Sequence, residues 1–231
     1  MAMQNDPSSL GDMLLFRDLT PAQLTTLHKF LHRRVFPAKT NLITVEQPGG
    51  TVYIILHGTV KIHVEQVDGT DVIIAFGGPG DVEGEMSLLG DVDRSANVVT
   101  QEETTVLWIN RVDFQECLRT MPALTYNLLR ITSDRLRLAN ERIQALCSLN
   151  IDGRVARQIL AFARQYGKTL PNGDVLISIR LTQSDIASLV GATRERVNQI
   201  MNAYKRNHYL SVDRQSYITI HNQEALTHRH Q

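Results

Sequence analysis

Residues 80–98, GDVEGEMSLLGDVDRSANV, carry side chains that suit a phosphodiester ligand. The Arg94 guanidinium can donate parallel hydrogen bonds to phosphate oxygens, and the Ser95 hydroxyl adds another donor. The carboxylate of Glu85, which follows Gly84, can accept a hydrogen bond from a sugar hydroxyl. A short helix that begins here would also direct backbone amides toward an anion. The simpler alternative is a surface ion pair between Glu85 and Arg94.

A second group of polar side chains lies in residues 181–201, LTQSDIASLVGATRERVNQIM. Thr182 is predicted to cap a helix that Gly191 ends, and a second helix is predicted to begin near Thr193. Two helices joined by a three-residue turn with a glycine are typical of the helix-turn-helix, whose second helix enters the DNA major groove. The alternative is an ordinary helical hairpin with a solvated polar face.

The predicted second helix separates apolar from polar side chains. Its predicted buried stripe consists of Val197, Ile200, Met201 and Tyr204. At about 100° per residue, the exposed side carries Arg194, Glu195, Gln199, Asn202 and Arg206. Guanidinium, carboxylate and amide groups are the donors and acceptors that read base edges in the major groove. This exposed side is therefore a candidate for DNA recognition.

Residues 35–110 have the pattern of short β-strands. The runs TVYIILHG, TVKIHVEQ and DVIIAFGG alternate or stay apolar over short lengths, and glycine turns separate them. Strands that recur every ~8–12 residues between such turns predict a β-sandwich or barrel. Before them, LTPAQLTTLHKFL predicts a helix with Thr20 as its cap, Pro21 at its first position and Gln23 closing a capping box.

Residues 122–147, PALTYNLLRITSDRLRLANERIQALC, contain no glycine and no proline after the first position. Apolar or small residues recur at spacings of three and four, the pattern of a coiled-coil seam. The seam consists of Leu129, Thr132, Leu136, Ala139, Ile143 and Leu146. A helix of about 26 residues would be ~39 Å long, more than a small sandwich needs. We therefore predict a dimerisation helix, and a helix packed on its own domain is the alternative.

The C-terminal region mixes one long helix with short β runs. GRVARQILAFARQYG predicts an amphipathic helix, VLISI a strand, and YLSVD with SYITIH two strands that can form a wing. The tail HNQEALTHRHQ is expected to be frayed. We expect no metal site in the tail, because its histidines lack a third ligand on a fixed element.

Charge is distributed unevenly along the chain. The 231 residues have no formal net charge. However, nine basic and sixteen acidic residues give −7 over 1–121, and eleven basic and six acidic residues give +5 over 151–231. An acidic N-terminal part and a basic C-terminal part indicate that the C-terminal part binds a polyanion such as DNA.

Several classes of protein are disfavoured. No apolar run approaches the ~18–20 residues of a membrane span, and the N-terminus lacks the pattern of a secretory signal. Cys117 and Cys147 are the two cysteines, too few for an iron–sulfur cluster. No motif combines a nucleophile, a base or metal ligands. We expect a cytoplasmic protein that is not an enzyme, holds no metal and binds no membrane.

From about residue 15 to residue 222 the chain resembles the cyclic-AMP receptor protein and fumarate-nitrate reductase regulator (CRP/FNR) superfamily of bacterial transcription factors. GEMSLL followed by DRSA resembles the phosphate-binding cassette of its cyclic-nucleotide-binding branch. IDGRVARQIL resembles the entry to its DNA-binding domain, and LTQSDIASLVGATRERVNQIM its helix-turn-helix. The resemblance implies an α+β fold: a jelly-roll sensor domain over 1–121, a dimerisation helix over 122–150 and a winged helix-turn-helix over 151–231.

The resemblance implies a set of residues that bind a cyclic nucleotide. Glu85 resembles the ligand of the ribose hydroxyl, and Gly84 supplies a backbone contact. Arg94 and Ser95 resemble the ligands of the cyclic phosphate. The remaining implied positions are Ile62 and Ile74 as apolar pocket walls, Met86 and Asn140.

The long helix departs from the family pattern at one pair of residues. Enterobacterial members carry a Thr-Ser pair that meets adenine, and this chain has Ala139 and Asn140 there. Ala139 has no hydroxyl, so one adenine contact is lost. Asn140 of the partner subunit can still hydrogen-bond the base.

The resemblance also implies DNA-binding residues. Arg194 and Glu195 match the pair that reads guanine and cytosine, and Gln199 stands where the next reader is usually basic. Thr182, Gln183 and Thr193 fall at positions that contact phosphates, which orient the protein without specifying sequence. The implied partners are double-stranded DNA with a palindromic site, a second copy of the chain and RNA polymerase.

We expect a dimeric transcription regulator whose binding to DNA is controlled by cyclic AMP. One alternative is a family member that binds DNA without a nucleotide or with another ligand, which Ala139 favours and Glu85, Arg94 and Ser95 disfavour. Another is a cyclic-nucleotide sensor that acts on a protein partner. A haem bound by His57 or His63 is a further alternative.

Overall fold

The computed structural model describes residues 10–11, 13–66, 69, 71–90 and 92–229. Its N-terminal part is mainly β-structure. The strands are β1 (His32–Phe36), β2 (Asn41–Ile43), β3 (Thr51–His57), β4 (Val60–Glu65), β5 (Asp71–Gly77), β6 (Val82–Glu83), β7 (Asn97–Thr100) and β8 (Thr104–Asn110).

These strands form two four-stranded sheets, in the orders β1-β8-β3-β6 and β2-β7-β4-β5. The pairs of β8 with β1 and β3, of β3 with β6, and of β7 with β2 and β4 are antiparallel. Two such sheets are the architecture of a jelly roll. The predicted β-sandwich is confirmed in this form.

Apolar side chains cover both faces of the sheet that contains β3. Successive residues of a strand point to opposite faces. Ile55 belongs to a buried cluster contributed by strands of both sheets, so this core lies between the sheets. Its neighbour Ile54 belongs to a second cluster that includes Leu27, Phe114 and Leu124 from helices. The sheet that contains β3 therefore packs on one face against the core between the sheets and on the other face against helices.

Helices lie before and after the strands of the jelly roll in the chain, and a short helix lies between β6 and β7. They are α1 (Pro21–His28), α2 (Glu85–Leu89), α3 (Arg111–Thr120) and α4 (Pro122–Ser148), and a 3-10 turn spans Leu14–Phe16. The predicted capping box at α1 is confirmed, because Thr20 accepts from the Gln23 amide and the Gln23 side chain accepts from the Thr20 amide. The predicted long helix is also confirmed.

The C-terminal part is a winged helix-turn-helix, as predicted. Its elements are α5 (Ile151–Tyr166), β9 (Gly167–Thr169), β10 (Val175–Ile177), α6 (Gln183–Val190), α7 (Arg194–Arg206), β11 (Leu210–Val212), β12 (Ile218–Ile220) and α8 (Gln223–Thr227). The strands form one sheet in the order β11-β12-β10-β9.

The expected frayed tail is wrong for the residues of α8. Asn222 caps this short helix by accepting a hydrogen bond from the Ala225 amide. Leu226 is fully buried, and α8 contacts α5. The burial of Leu226 and the contact of α8 with α5 therefore account for a helix over Gln223–Thr227 that the composition of this segment does not predict.

The chain divides into two compact units. One combines the residues up to Val64 with Phe76–Leu136, and the other combines Glu65–Ala75 with the chain from Arg137 onward. The helix α4 therefore contributes residues to both units. No helix in the described part of the chain is long and apolar enough to cross a membrane.

The start of α4 is tied to the N-terminal segment through one buried amide. Asn127 is 1% exposed, and its Nδ2 donates to the carbonyls of Leu15 at 3.2 Å and Arg17 at 2.6 Å. Buried carbonyls without a partner cost free energy, so this side chain satisfies both while it fixes where the long helix begins.

We predict that Asn127→Ala lowers the free energy of unfolding by roughly 1–3 kcal/mol, because two carbonyls lose their donor. Urea unfolding measures the change. Asn140→Ala is the matched control, since Asn140 is exposed on the same helix and its truncation should stay within about 0.5 kcal/mol. Equal effects of the two substitutions would contradict this role of Asn127.

Candidate functional site

The buried cation of the jelly roll is Arg94, which is 8% exposed. Its Nη1 donates to the Gly84 carbonyl at 2.7 Å and to the Ser87 hydroxyl at 2.9 Å, and its Nη2 donates to the Thr51 carbonyl at 2.5 Å. All three acceptors are uncharged. Burial lowers the pKa of Arg94, because desolvation disfavours the charged form. An anion at this guanidinium would offset that cost.

Gly84 allows the guanidinium to come this close. Its φ is +91°, a left-handed conformation that side chains rarely adopt. A Cβ at this position would collide with Nη1 of Arg94 and would lie 2.9 Å from the Thr51 carbonyl. Only glycine therefore fits between Arg94 and strand β3 at the start of α2.

Glu85, the first residue of α2, is 2% exposed and forms an ion pair with the long helix. Its Oε1 accepts a hydrogen bond from Nη1 of Arg135 at 2.7 Å. Nη2 of Arg135 donates to the Val82 carbonyl at 2.6 Å and to Oε1 of Glu83 at 3.0 Å. One arginine of α4 thus joins the two carboxyl groups that flank Gly84.

Glu83 is the second carboxyl group of this cluster and is 6% exposed. Its pKa is raised to about 8: burial raises it most, Arg135 lowers it, and the nearby Glu85 and Asp81 raise it. The dominant cause is loss of hydration. Glu83 is therefore mostly protonated at neutral pH.

The structure brings together three of the predicted ligand-binding residues: Gly84, Glu85 and Arg94. The alternative of a surface ion pair between Glu85 and Arg94 is wrong, because both side chains are buried and their hydrogen bonds go to other partners. Ser95 and Met86 lie nearby in the chain with exposed side chains.

The remaining predicted pocket residues are spread over the fold. Ile62, on β4, is partly buried and packs against the core between the sheets. Ile74, on β5, is 45% exposed. Asn140 is exposed on α4, in the same compact unit as Ile74. A hydrogen bond from Nη1 of Arg142 to the Ile74 carbonyl ties β5 to this part of the helix.

Sequence reasoning missed Glu83 and Arg135. Both were visible as charged residues beside recognised motifs, since Glu83 precedes Gly84 and Arg135 lies within the long helix. The residues beside Glu83 give no sign of its burial, since Asp81, Val82, Gly84 and Glu85 surround it in the chain.

The predicted seam of α4 carries apolar side chains that this chain leaves uncovered. Leu129, Leu136 and Ile143 are 61%, 63% and 60% exposed, and they are seven residues apart. Large apolar side chains at heptad spacing form one line along a helix. The alternative of a helix whose seam packs on its own domain does not agree with this exposure.

The helix-turn-helix has the predicted caps. Thr182 accepts from the Asp185 amide at 3.2 Å and its hydroxyl donates to the Asp185 carboxylate at 2.6 Å. Gly191 ends α6 with φ +64°, and Thr193 caps α7 by accepting from the Arg196 amide. The predicted buried stripe of α7 is confirmed for Val197, Ile200, Met201 and Tyr204.

The candidate base-reading side chains of α7 are exposed. Arg194 and Glu195 occupy its first turn, and Gln199 follows one turn later. A hydrogen bond from its own backbone amide, helped by the Thr193 hydroxyl, lowers the pKa of Glu195, so this group is an ionised acceptor. The amide oxygen of Gln199 accepts from Nη1 of Arg196 at 3.2 Å. Gln183 begins α6 with its side chain partly buried.

Two stretches of the chain match known families. Residues 33–121 match a family described as the cyclic nucleotide-binding domain, and residues 153–229 match the Crp-like helix-turn-helix domain. Together with the jelly roll and the exposed recognition helix, they define a DNA-binding transcription regulator with a cyclic nucleotide-binding domain.

Similarities over most of the chain also indicate a transcription regulator of this kind. The chain is 30% identical over 215 residues to the CRP-like cAMP-activated global transcriptional regulator of Mycobacterium tuberculosis, covering 93% of this chain and 95% of that protein. The Thermus thermophilus catabolite activator protein matches with 26% identity and a TM-score of 0.52, over 94% of this chain and 98% of that chain. FixK2 from Bradyrhizobium japonicum shares the fold, with a TM-score of 0.72, 20% identity and coverage of 86% and 96%. The chain belongs to the CRP/FNR family, whose members are transcription regulators and not enzymes.

The raised pKa of Glu83 predicts a pH-dependent stability. The folded protein holds this proton up to about pH 8, whereas the unfolded chain releases it near the ordinary value of 4.5. Folding therefore binds a proton between these values, and stability falls as pH rises through that window.

We predict that the free energy of unfolding of the wild-type protein, relative to Glu83→Gln, decreases on the order of 3–5 kcal/mol between about pH 5 and pH 8. Urea unfolding at each pH measures both proteins. Glutamine keeps the shape of the protonated acid but does not titrate. A constant difference across this range would contradict the burial of an acid at position 83.

Proposed function

We propose that this protein is a dimeric transcription regulator whose binding to DNA is controlled by a cyclic nucleotide, with cyclic AMP as the effector. The observation that carries the proposal is the buried guanidinium of Arg94, which donates to uncharged oxygens beside Gly84 and Glu85. The predicted division into a sensor over 1–121, a dimerisation helix over 122–150 and a DNA-binding domain over 151–231 belongs to this proposal.

The electrostatics of Arg94 support a phosphate ligand. Glu85 lies close enough to favour the charge of Arg94, but the hydrogen-bond acceptors of the guanidinium are all uncharged, so a desolvation cost remains that an anion can offset. The guanidinium fork also matches the oxygens of a phosphate. Ser95, adjacent in sequence and exposed, supplies a second donor to the same cyclic phosphate, and the backbone of Gly84 adds a contact.

Glu85 is suited to a ribose hydroxyl. Arg135 holds the carboxylate through Oε1, which leaves Oε2 to accept from a hydroxyl. Met86, Ile62 and Ile74 supply apolar contacts in this proposal. Asn140 of the partner subunit hydrogen-bonds the base.

The uncovered heptad line of α4 supports a dimer. Two copies that pack along Leu129, Leu136 and Ile143 would bury side chains that one copy leaves exposed. A two-fold dimer presents two recognition helices to half-sites about one helical turn apart, ~34–36 Å, and therefore to a palindrome. RNA polymerase is the proposed partner on DNA.

Control by the effector follows from a population shift. A ligand that binds one arrangement of the dimer more tightly moves the population toward that arrangement. In this proposal the favoured arrangement is the one that binds DNA through Arg194, Glu195 and Gln199, with Thr182, Gln183 and Thr193 at the phosphates.

One observation favours an effector other than cyclic AMP. Ala139 is exposed on α4 and offers no hydroxyl to adenine. Calorimetric titration with cyclic AMP, cyclic GMP and cyclic di-GMP distinguishes these ligands from one another and from a regulator that needs none. Gel shifts on genomic fragments separate a DNA-binding regulator from a sensor that acts only on a protein partner.

We predict that Arg94→Ala weakens cyclic AMP binding by roughly 2–5 kcal/mol, because the bound phosphate loses a buried charge partner. Calorimetry measures the affinity. Arg94 also donates to backbone carbonyls, so its truncation removes more than the ligand contact. Arg94→Lys keeps the positive charge and removes the planar guanidinium, and therefore tests the parallel hydrogen bonds to the phosphate. Arg119→Ala is the control, because Arg119 forms an exposed pair with Glu116. Binding by Arg94→Ala as tight as wild type would exclude Arg94 as the phosphate ligand.

We predict that Ile143→Glu yields monomers or unstable protein, because a carboxylate in the dimer seam is desolvated at high cost. Light scattering measures the molecular mass. Gln144→Glu adds the same charge at the next residue, which lies off the seam and is exposed, and should remain dimeric. A folded dimer of Ile143→Glu would move the interface elsewhere.

We predict that Gln199→Arg raises the preference for guanine at one symmetric position by about 1–3 kcal/mol, since arginine pairs with guanine O6 and N7 and an amide suits adenine. Selection on randomised DNA compares the two proteins. Gln223→Arg adds the same charge at an exposed position of α8 and should leave the sequence preference unchanged. Identical preferences for the wild-type protein and Gln199→Arg would mean that Gln199 contacts no base.

A further inference from the structure

One acidic residue beside the proposed effector site, Glu83, makes none of the proposed contacts with the ligand. Glu83 ends β6 and accepts from Nη2 of Arg135 at 3.0 Å, while Nη1 of the same guanidinium donates to Glu85 at 2.7 Å. Both carboxyl groups are buried, and Arg135 is 31% exposed. The guanidinium that holds Glu85 is therefore shared with a second acid.

The surroundings of Glu83 are apolar on one side and acidic on the other. A Cβ built on Gly77 would lie 2.9 Å from Oε1 of Glu83 and 2.9 Å from a methyl group of Val60, so the carboxyl group lies against the core between the sheets.

Among the residues that the structure describes, four titratable or charged groups lie near Glu83. They are Arg135 from α4, Glu85 from α2, Asp81 from the turn before β6 and Tyr53 opposite it in β3. Three acids lie near one arginine, and two of them, Glu83 and Glu85, are buried, an arrangement that favours retention of one proton.

We propose that Glu83 is a positioning residue of the effector site, which holds Arg135 against Glu85 and, at alkaline pH, takes up a proton when the cyclic nucleotide binds. This inference rests on the proposed function. The ligand brings a negative charge to Arg94, and this charge makes an ionised Glu83 less favourable. A proton from solvent neutralises the carboxylate, and no other bond changes.

The direction of the pH effect follows from linkage. Below about pH 8 the free protein already carries the proton, so affinity is constant there. Above that pH the ligand must pay for protonation, and affinity falls. If binding raises the pKa of Glu83 by about one further unit, cyclic AMP binds about fivefold more weakly at about pH 9 than at pH 7.

Calorimetric titration of the full chain with cyclic AMP between about pH 6.5 and pH 9 tests the inference. Titration at about pH 8.5 in two buffers of different ionisation enthalpy counts the protons taken up by the wild-type protein itself, and a fractional uptake is expected. Glu83→Gln should bind with the neutral-pH affinity of wild type at every pH. Glu116→Gln removes an exposed acid of α3 and should keep the wild-type pH dependence.

The outcomes separate the two proposals. Tight binding without pH dependence or proton uptake, or a pH dependence that persists in Glu83→Gln, overturns the role of Glu83 and leaves the cyclic-nucleotide site intact. Absence of binding at every pH overturns the proposed effector and this inference with it. The inference is supported if alkaline pH weakens binding to the wild-type protein and does not weaken binding to Glu83→Gln.

Discussion

The free-energy cost of burying charged groups determines how the side chains around Gly84 are arranged in the jelly roll. Glu83, Glu85 and Arg94 are buried within a few residues of Gly84, and Arg135 reaches them from the long helix. Removal of one partner from a buried pair costs about 3–5 kcal/mol, so the positions of these groups depend on one another. The cluster therefore sets where α4 must lie against β6, and it leaves Arg94 with dipolar partners that a phosphate can complement.

A second arginine links the long helix to the DNA-binding elements. Arg154, on α5, donates to the Leu146 and Leu149 carbonyls at the end of α4 and to the Val190 carbonyl at the end of α6. Cations at helix C-termini are stabilising, because the last carbonyls lack helical partners. The end of α4 and the first helix of the helix-turn-helix thus share one donor, so a displacement of either helix end would change the hydrogen bonds of the other.

In the proposed function, specificity at the two ends of the protein rests on few side chains. At the proposed effector site, Ala139 and Asn140 stand where the resemblance implies a Thr-Ser pair in enterobacterial members, so the proposed recognition of the base differs from theirs while the cassette around Arg94 is retained. At the DNA end, Gln199 replaces a usual cation beside Arg194. Both departures change hydrogen-bonding partners and leave the fold intact, because all these side chains except Arg94 are exposed.

The sequence by itself determined the features that depend on neighbours along the chain. Caps at Thr20 and Thr182, the glycine that ends α6 and the seam through Leu136 were predicted because capping and helical periodicity act over a few residues. Only the tertiary structure decided that Arg135 pairs with Glu85 across 50 residues, that Glu83 is buried and that Leu226 orders the tail. Those features depend on which distant segments pack together, and the burial that results changes the energy of a charge or a leucine far more than local propensity does.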